Sequence, residues 1–115
     1  MARYLGKQGL RVLFRNVVLP LGELDIVALD GRTLVFVEVR STESPDVERP
    51  AASVDNAKQR KLTDLALAFL QNKRLLGHAA RFDVVAVSWP PNRREPEIVH
   101  HVDAFPAVGR FQIYT

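Results

Sequence analysis

Four charged side chains lie in two otherwise apolar segments of this sequence. Residues 21–28 read Leu-Gly-Glu-Leu-Asp-Ile-Val-Ala, and residues 34–40 read Leu-Val-Phe-Val-Glu-Val-Arg. The charged residues, spaced by two positions within each segment, are Glu23, Asp25, Glu38 and Arg40. In a strand, this spacing directs both members of a pair to one face. A charge among apolar residues is costly unless it is paired or binds a metal ion. Two such strands side by side would form a carboxylate cluster beside a cation, which suits metal-dependent phosphodiester chemistry.

An ion pair without a metal is the simpler alternative. Glu38 and Arg40 could pair with each other, or with Asp25, in a buried salt bridge. However, Glu23 adds a third carboxylate to one arginine, and this surplus negative charge favours a bound cation. Oxygen ligands in a chain without cysteine indicate Mg²⁺ or Mn²⁺ rather than zinc. The histidines are expected at the surface or at a sheet edge rather than as ligands; they are His78, His100 and His101.

The composition indicates one ordinary globular domain over residues 1–115. The chain is 47% hydrophobic and 25% charged, and it has no cysteine, which excludes a disulfide scaffold and fits a reducing cytosol. No apolar run approaches the roughly 20 residues of a membrane span, and no signal peptide is visible, so we expect a cytoplasmic protein with no membrane partner. The net charge of +3 gives a mild preference for polyanions.

The elements that must position the charged residues follow from hydrophobic periodicity and turn residues. The sequence predicts a short helix at residues 1–5 ended by Gly6 or Gly9, and a long helix that begins at Ser53 or Asp55 and ends at Asn72 or Lys73. It predicts strands at residues 10–19, 23–29, 33–40, 82–87 and 98–102, a mobile loop at 41–50 and a C-terminal tail at 106–115.

Two connections define the predicted sheet. Asp30-Gly31-Arg32 is a tight turn by composition, so the third strand should run antiparallel to the second. The long helix lies between the third and fourth strands, so these two should be parallel. The result is an α/β layered domain.

Five segments together resemble the YraN-type family of small bacterial proteins. They are residues 22–28 (Gly-Glu-Leu-Asp-Ile-Val-Ala), 33–40 (Thr-Leu-Val-Phe-Val-Glu-Val-Arg), 53–58 (Ser-Val-x-x-x-Lys), 81–87 (Arg-Phe-Asp-Val-Val-Ala-Val) and 101–105 (His-Val-Asp-Ala-Phe). The resemblance extends over residues 5–105. It implies a restriction-endonuclease-like fold, a mixed central sheet flanked by helices, similar to archaeal Holliday-junction resolvases. The implied activity is Mg²⁺-dependent hydrolysis of DNA phosphodiesters in branched or otherwise structured DNA.

The resemblance also implies roles for individual residues. By matching positions, Asp25 and Glu38 would bind the metal, and Glu23 would be an additional acid. Lys58 and Gln59 would be the helix residues that face the site. Independently of the resemblance, the first turns of the long helix are basic, with Lys58, Arg60 and Lys61 as candidate phosphate contacts. A solvated helix face is the simpler interpretation of these charges.

Two departures from the family pattern bear on activity. Arg40 stands where the family has lysine; a guanidinium can stabilise a transition state but stays protonated and cannot act as a base. Relatives also have a longer first helix with a Gly-Glu pair. Both departures point to reduced activity, or to a protein that binds DNA without cutting it.

Three hypotheses follow: a metal-dependent DNA endonuclease, a weak or inactive nuclease fold that binds nucleic acid, and an interaction domain without a nucleic acid role. Resolvase-like relatives and the apolar residues 105–114 suggest a homodimer.

Overall fold

The structure, a computed structural model, describes residues 1–42, 54–89, 91 and 94–107. Helix α1 is Ala2–Lys7 and helix α2 is Asn56–Asn72; the strands are β1 (Arg11–Leu19), β2 (Gly22–Asp30), β3 (Thr33–Thr42), β4 (Ala80–Ser88) and β5 (Glu97–Phe105). The predicted order and type of these elements are confirmed. The bounds differ by at most three residues, as at the end of β5, which extends to Phe105.

The five strands form one mixed sheet in the order β1-β2-β3-β4-β5. Strand β3 is antiparallel to β2 and parallel to β4, as predicted, while β1–β2 and β4–β5 are antiparallel. The parallel pair requires the crossover that contains α2. Strands β1 and β5 are the two edges of the sheet.

The two helices cover opposite faces of the sheet, and both faces of β3 are apolar. Leu34 and Phe36 pack on the α2 side with Leu65 and Phe69, whereas Val35 and Val37 pack on the α1 side with Leu5. The predicted α/β sheet flanked by helices is therefore confirmed at this level. The same alternation sends Glu38 and Arg40 to the α2 side, as the continuation of Leu34 and Phe36.

The residues at the helix ends explain why α1 ends and α2 begins where they do. Gly9, with a φ of 89°, ends α1: its N–H donates to Gly6 O, and the Leu10 N–H donates to Leu5 O. This pair of bonds satisfies two carbonyls at the helix end, and Leu10 then joins Leu5 in the core. Asp55 begins α2, since its Oδ1 accepts the Lys58 N–H at 2.8 Å.

Part of the predicted organisation lies outside the described residues: Ser53, most of the loop at 41–50 and most of the tail at 106–115. Within the ranges that the structure describes, neither helix is long and apolar enough to cross a membrane.

Candidate metal centre

Asp25 and Glu38 meet on the α2 face of the sheet. The β2–β3 register pairs Ile26 with Val37, and its continuation places Asp25 opposite Glu38. The two carboxyl groups are in hydrogen-bonding contact. Asp25 Oδ2 also accepts the Val39 N–H at 3.0 Å, so a side chain takes the place of a backbone carbonyl where the β2–β3 pairing ends.

The sheet is irregular around Asp25. The pairs Arg15–Ile26 and Val17–Leu24 place Asn16 of β1 opposite Asp25. Asn16 has a φ of 53°, a left-handed conformation that asparagine tolerates better than most residues. At Asp25, strand β2 therefore pairs irregularly with both β1 and β3. Its side chains do not alternate regularly between the two faces of the sheet along the whole strand.

The irregularity separates Glu23 from the acid pair. A Cβ on Gly22 would lie 3.2 Å from Lys61 Cε of α2, and Leu24 packs in the core against α2. Glu23, between these two residues, thus points to the opposite face and is exposed. The expectation that Glu23 shares a face with Asp25 is wrong, because the alternation breaks between Leu24 and Asp25. Its role as an additional acid stays a prediction without a described contact.

Burial and crowding change the titration of Glu38. Burial, the hydrogen bond with Asp25 and the negative charge of Asp25 raise the pKa of Glu38 from 4.5 to about 7. Lys58 and Arg40 act in the opposite direction but do not cancel the rise. Near pH 7 the Glu38 carboxyl is therefore about half protonated, and the protein's own cations do not fully compensate the pair.

Lys58 is the helix residue that reaches the pair. Its Nζ lies 3.7 Å from Glu38 Oε2, and its side chain is 36% exposed against 10% for Glu38. Arg40 follows Glu38 by two residues on the same face, is half-buried, and acts on the Glu38 carboxyl through its charge. The structure thus brings together Asp25, Glu38 and Lys58, with Arg40 beside them.

The other predicted helix residues lie elsewhere. Gln59 Nε2 donates to Val54 O at 2.8 Å, so this amide group secures the start of α2. Arg60 and Lys61 are exposed on α2, and the Lys61 stem passes over Gly22. The predicted roles of these three residues stay predictions.

The donor set of the pair fits a hydrated hard cation. Mg²⁺ retains several waters and is commonly held by one or two carboxylates, so Asp25 and Glu38 suffice for it. A cage of three or more His, Asp or Glu side chains is not found among residues 1–42, 54–89, 91 and 94–107. A cavity of about 10 Å³, roughly the room for one water, adjoins the pair. Its lining includes Asp25, Glu38, Leu24, Phe36, Leu62 and Phe82.

Sequence reasoning missed a second charged cluster, on the α1 face. The buried Asp83 carboxylate accepts from Arg81 Nε at 2.9 Å, contacts His100 Nε2 at 2.7 Å, and accepts the Asp103 N–H at 2.9 Å. Arg81 also donates to Asp30 Oδ2 at 2.7 Å. Hydrogen bonding to Asp83, then to Asp30, raises the pKa of Arg81 further above its ordinary value.

His100 lies on an edge strand, as expected, and its side chain is only 6% exposed because it contacts Asp83. The available signal was Arg81-Phe-Asp83, opposite charges spaced by two in an apolar strand. This is the pattern that drew attention to β3. The members of this cluster satisfy one another, and we interpret it as structural.

The fold and the site define a mixed α/β protein with two facing carboxylates on adjacent central strands and a lysine from the crossover helix. The chain belongs to the UPF0102 family: a family model described as "Uncharacterised protein family UPF0102" matches residues 1–87. The predicted YraN-type membership is thereby confirmed.

Three relatives support this assignment. A UPF0102 protein of Syntrophus aciditrophicus is 44% identical over 110 residues, which cover 95% of this chain and 85% of the relative. A UPF0102 protein of Rhodopirellula baltica is 41% identical and covers 98% of this chain and 70% of the relative. A third, from Geotalea daltonii, is 45% identical over 82% of this chain and 73% of the relative.

Proposed function

We propose that this protein is a metal-dependent DNA endonuclease with the restriction-endonuclease-like fold, acting on branched or otherwise structured DNA. The observation that carries the proposal is the contact between Asp25 and Glu38, with Lys58 Nζ 3.7 Å from Glu38. The YraN-type resemblance supports the fold and the substrate class.

In the proposed reaction, Asp25 and Glu38 would hold Mg²⁺ or Mn²⁺, which would supply Lewis acidity and lower the pKa of a water nucleophile. Arg40 cannot lose its proton and stabilises charge on the phosphate. Lys58 can exchange a proton, and it already lies beside Glu38, so it orients the nucleophile in place of the lysine that Arg40 replaces.

The first turns of α2 provide phosphate contacts. Arg60 and Lys61 are exposed and lie within three residues of Lys58. Phosphate contacts of this kind position a nucleic acid without reading its sequence. DNA is therefore the proposed partner, and a homodimer stays a prediction.

A weak or inactive nuclease fold that binds nucleic acid is the second candidate. Two observations favour it: the site has arginine rather than lysine at position 40, and Glu23 points away from the acid pair. In this case the cations of the site bind the phosphate backbone without hydrolysis.

Titration of the protein with Mn²⁺ by calorimetry tests the metal site. We expect one site in the wild type, at least tenfold weaker in Asp25→Asn because one of two charged ligands is lost. The substituted amide would still offer an oxygen to the Val39 N–H, so this variant isolates the charge. Glu23→Gln is the control, since it removes a carboxylate on the other face and should leave the affinity unchanged. Equal affinities in wild type and Asp25→Asn would rule out the site.

Cleavage assays separate the two candidates. With Mn²⁺, a panel of junctions, flaps and single strands should be nicked by the wild type and not by Asp25→Asn or Glu38→Gln. Lys58→Ala should lower the rate at least tenfold, whereas Arg60→Ala should mainly weaken binding. Metal binding without cleavage of any substrate would support the binding module, and cleavage restored by Arg40→Lys would identify the missing group.

A further inference from the structure

The positive charge of this chain is concentrated at its start. Residues 1–22 contain four basic residues and no Asp or Glu. Because the whole chain has a net charge of +3, residues 23–115 carry −1 (+3 minus +4). Residues 65–82 also contain no acid. The acid pair therefore lies in the part of the sequence whose net charge is slightly negative.

The structure brings these two acid-free segments together. Strand β1 is an edge of the sheet, and α1 leads directly into it. The end of α2 contacts β1 through Phe14, whose ring lies 5.7 Å from that of Phe69 and 5.1 Å from Lys73 Nζ. Six exposed cations lie around this edge on both faces of the sheet, and we call them the β1-edge strip: Arg3, Lys7 and Arg15 on the α1 side, and Arg11, Lys73 and Arg74 on the α2 side.

We propose that the β1-edge strip binds the phosphate backbone of a nucleic acid duplex. Isolated charges on an edge strand commonly serve to prevent pairing with another sheet. Six charges of one sign, in segments without acids, instead create a field that attracts a polyanion.

The strip is separate from the acid pair. It lies at the sheet edge, two strands from β3, and includes none of Asp25, Glu38 or Lys58. Duplex binding should therefore persist in EDTA and in Asp25→Asn. A failed metal titration would not contradict duplex binding by the strip. Absence of duplex binding would not contradict the metal site.

Fluorescence anisotropy with a 30-base-pair duplex in EDTA, over a range of salt concentrations, tests the strip. If all six cations contact phosphates, log K should fall with log salt at a slope of about 5. Arg15→Gln should lower the slope by about 0.9 and weaken binding about eightfold at 0.1 M salt. Arg94→Gln removes the same charge from the β4–β5 connection, at the other edge, and should change affinity less than about twofold.

Three outcomes would overturn the inference. One is equal weakening by Arg15→Gln and Arg94→Gln, which would indicate net charge rather than a surface. Another is absence of duplex binding at low salt. The third is binding to phosphatidylglycerol vesicles that depends on Arg15 and exceeds binding to the duplex. Because Arg15 and Arg94 are both exposed, unchanged thermal unfolding of the two variants confirms that the comparison concerns binding.

Discussion

The protonation of Glu38 depends on its burial and on the neighbouring Asp25. Its pKa is raised from 4.5 in the unfolded chain to about 7 in the folded protein, first by burial and then by Asp25. The stabilisation from its protonated form is therefore complete below pH 4.5 and is lost as the pH rises through 7. Without a divalent cation, the ionised pair opposes folding at alkaline pH.

Glu38→Gln should therefore stabilise the protein at high pH. Above pH 7.5, in EDTA, we expect its free energy of unfolding in urea to exceed that of the wild type by about 1–3 kcal/mol, a range reduced from the full shift because the site is partly solvated. Near pH 4.5 the two should agree. Glu23→Gln, which removes an exposed carboxylate, should match the wild type at both pH values. A Glu38→Gln variant no more stable than wild type at pH 8 would contradict this explanation.

The contact of Asp25 with Glu38 could be anticipated from the sequence, and the position of Glu23 could not. Spacing by two predicts a shared face only while a strand alternates regularly. Here Asn16, from the neighbouring strand, adopts a left-handed conformation opposite Asp25, and the alternation shifts. Nothing in residues 21–28 themselves indicates this change, because it arises between strands.

At the scale of elements, the end of α2 contains a strained residue. The Arg74 N–H donates to Gln71 O and the Leu75 N–H donates to Leu70 O, the same pair of bonds that ends α1. In α1 the left-handed position is Gly9, but here it is Arg74, with a φ of 58°. A side chain is disfavoured in this conformation because its Cβ approaches the backbone.

Arg74→Gly should raise the free energy of unfolding by about 1 kcal/mol. Arg74→Ala is the matched control, since it also removes the exposed side chain and its charge but retains the Cβ. Urea unfolding of both variants isolates the backbone effect, and equal stability of the two would show that the position is unstrained.

Hydrophobic periodicity was sufficient to predict the elements, whereas their ends depended on single residues. Leu62, Leu65, Phe69 and Leu70 fix the buried face of α2, and Asp55 caps it as expected. Strand β5 was predicted to end at residue 102, but it continues to Phe105 through Asp103, whose φ is 53°. In the structure its N–H binds the buried Asp83, so a contact distant in sequence extends the strand.

At the scale of the whole molecule, Asp83 on β4 connects β4 to the edge strand β5. Its carboxylate holds Arg81 through two nitrogens, at 2.9 and 3.3 Å, and contacts His100 and the Asp103 N–H across to β5. Arg81 extends the connection to Asp30 at the end of β2. A buried, paired carboxylate of this kind costs most when only one partner is removed.

Asp83→Ala should lower the free energy of unfolding by about 3–5 kcal/mol, because it leaves Arg81 and His100 buried without their shared acceptor. Asp30→Ala removes the other partner of Arg81, but that carboxylate is 50% exposed, so the cost should stay below about 1 kcal/mol. Urea unfolding at pH 7 measures both. Similar costs for the two variants would show that the network is not held by Asp83.

We expect the parallel β3–β4 pair to form later in folding than the β2–β3 hairpin. The β2–β3 hairpin closes locally at Asp30 and Thr33, whereas the parallel pair joins Leu34 to Ala80, a separation of 46 positions (80 minus 34). Closing the longer loop costs more chain entropy, so the parallel pair should form later than the hairpin. Asp25 and Glu38 should therefore come together in the local hairpin before α2 packs and places Lys58 beside Glu38. During refolding, the two carboxylates would then repel each other before the positive charge of Lys58 compensates them.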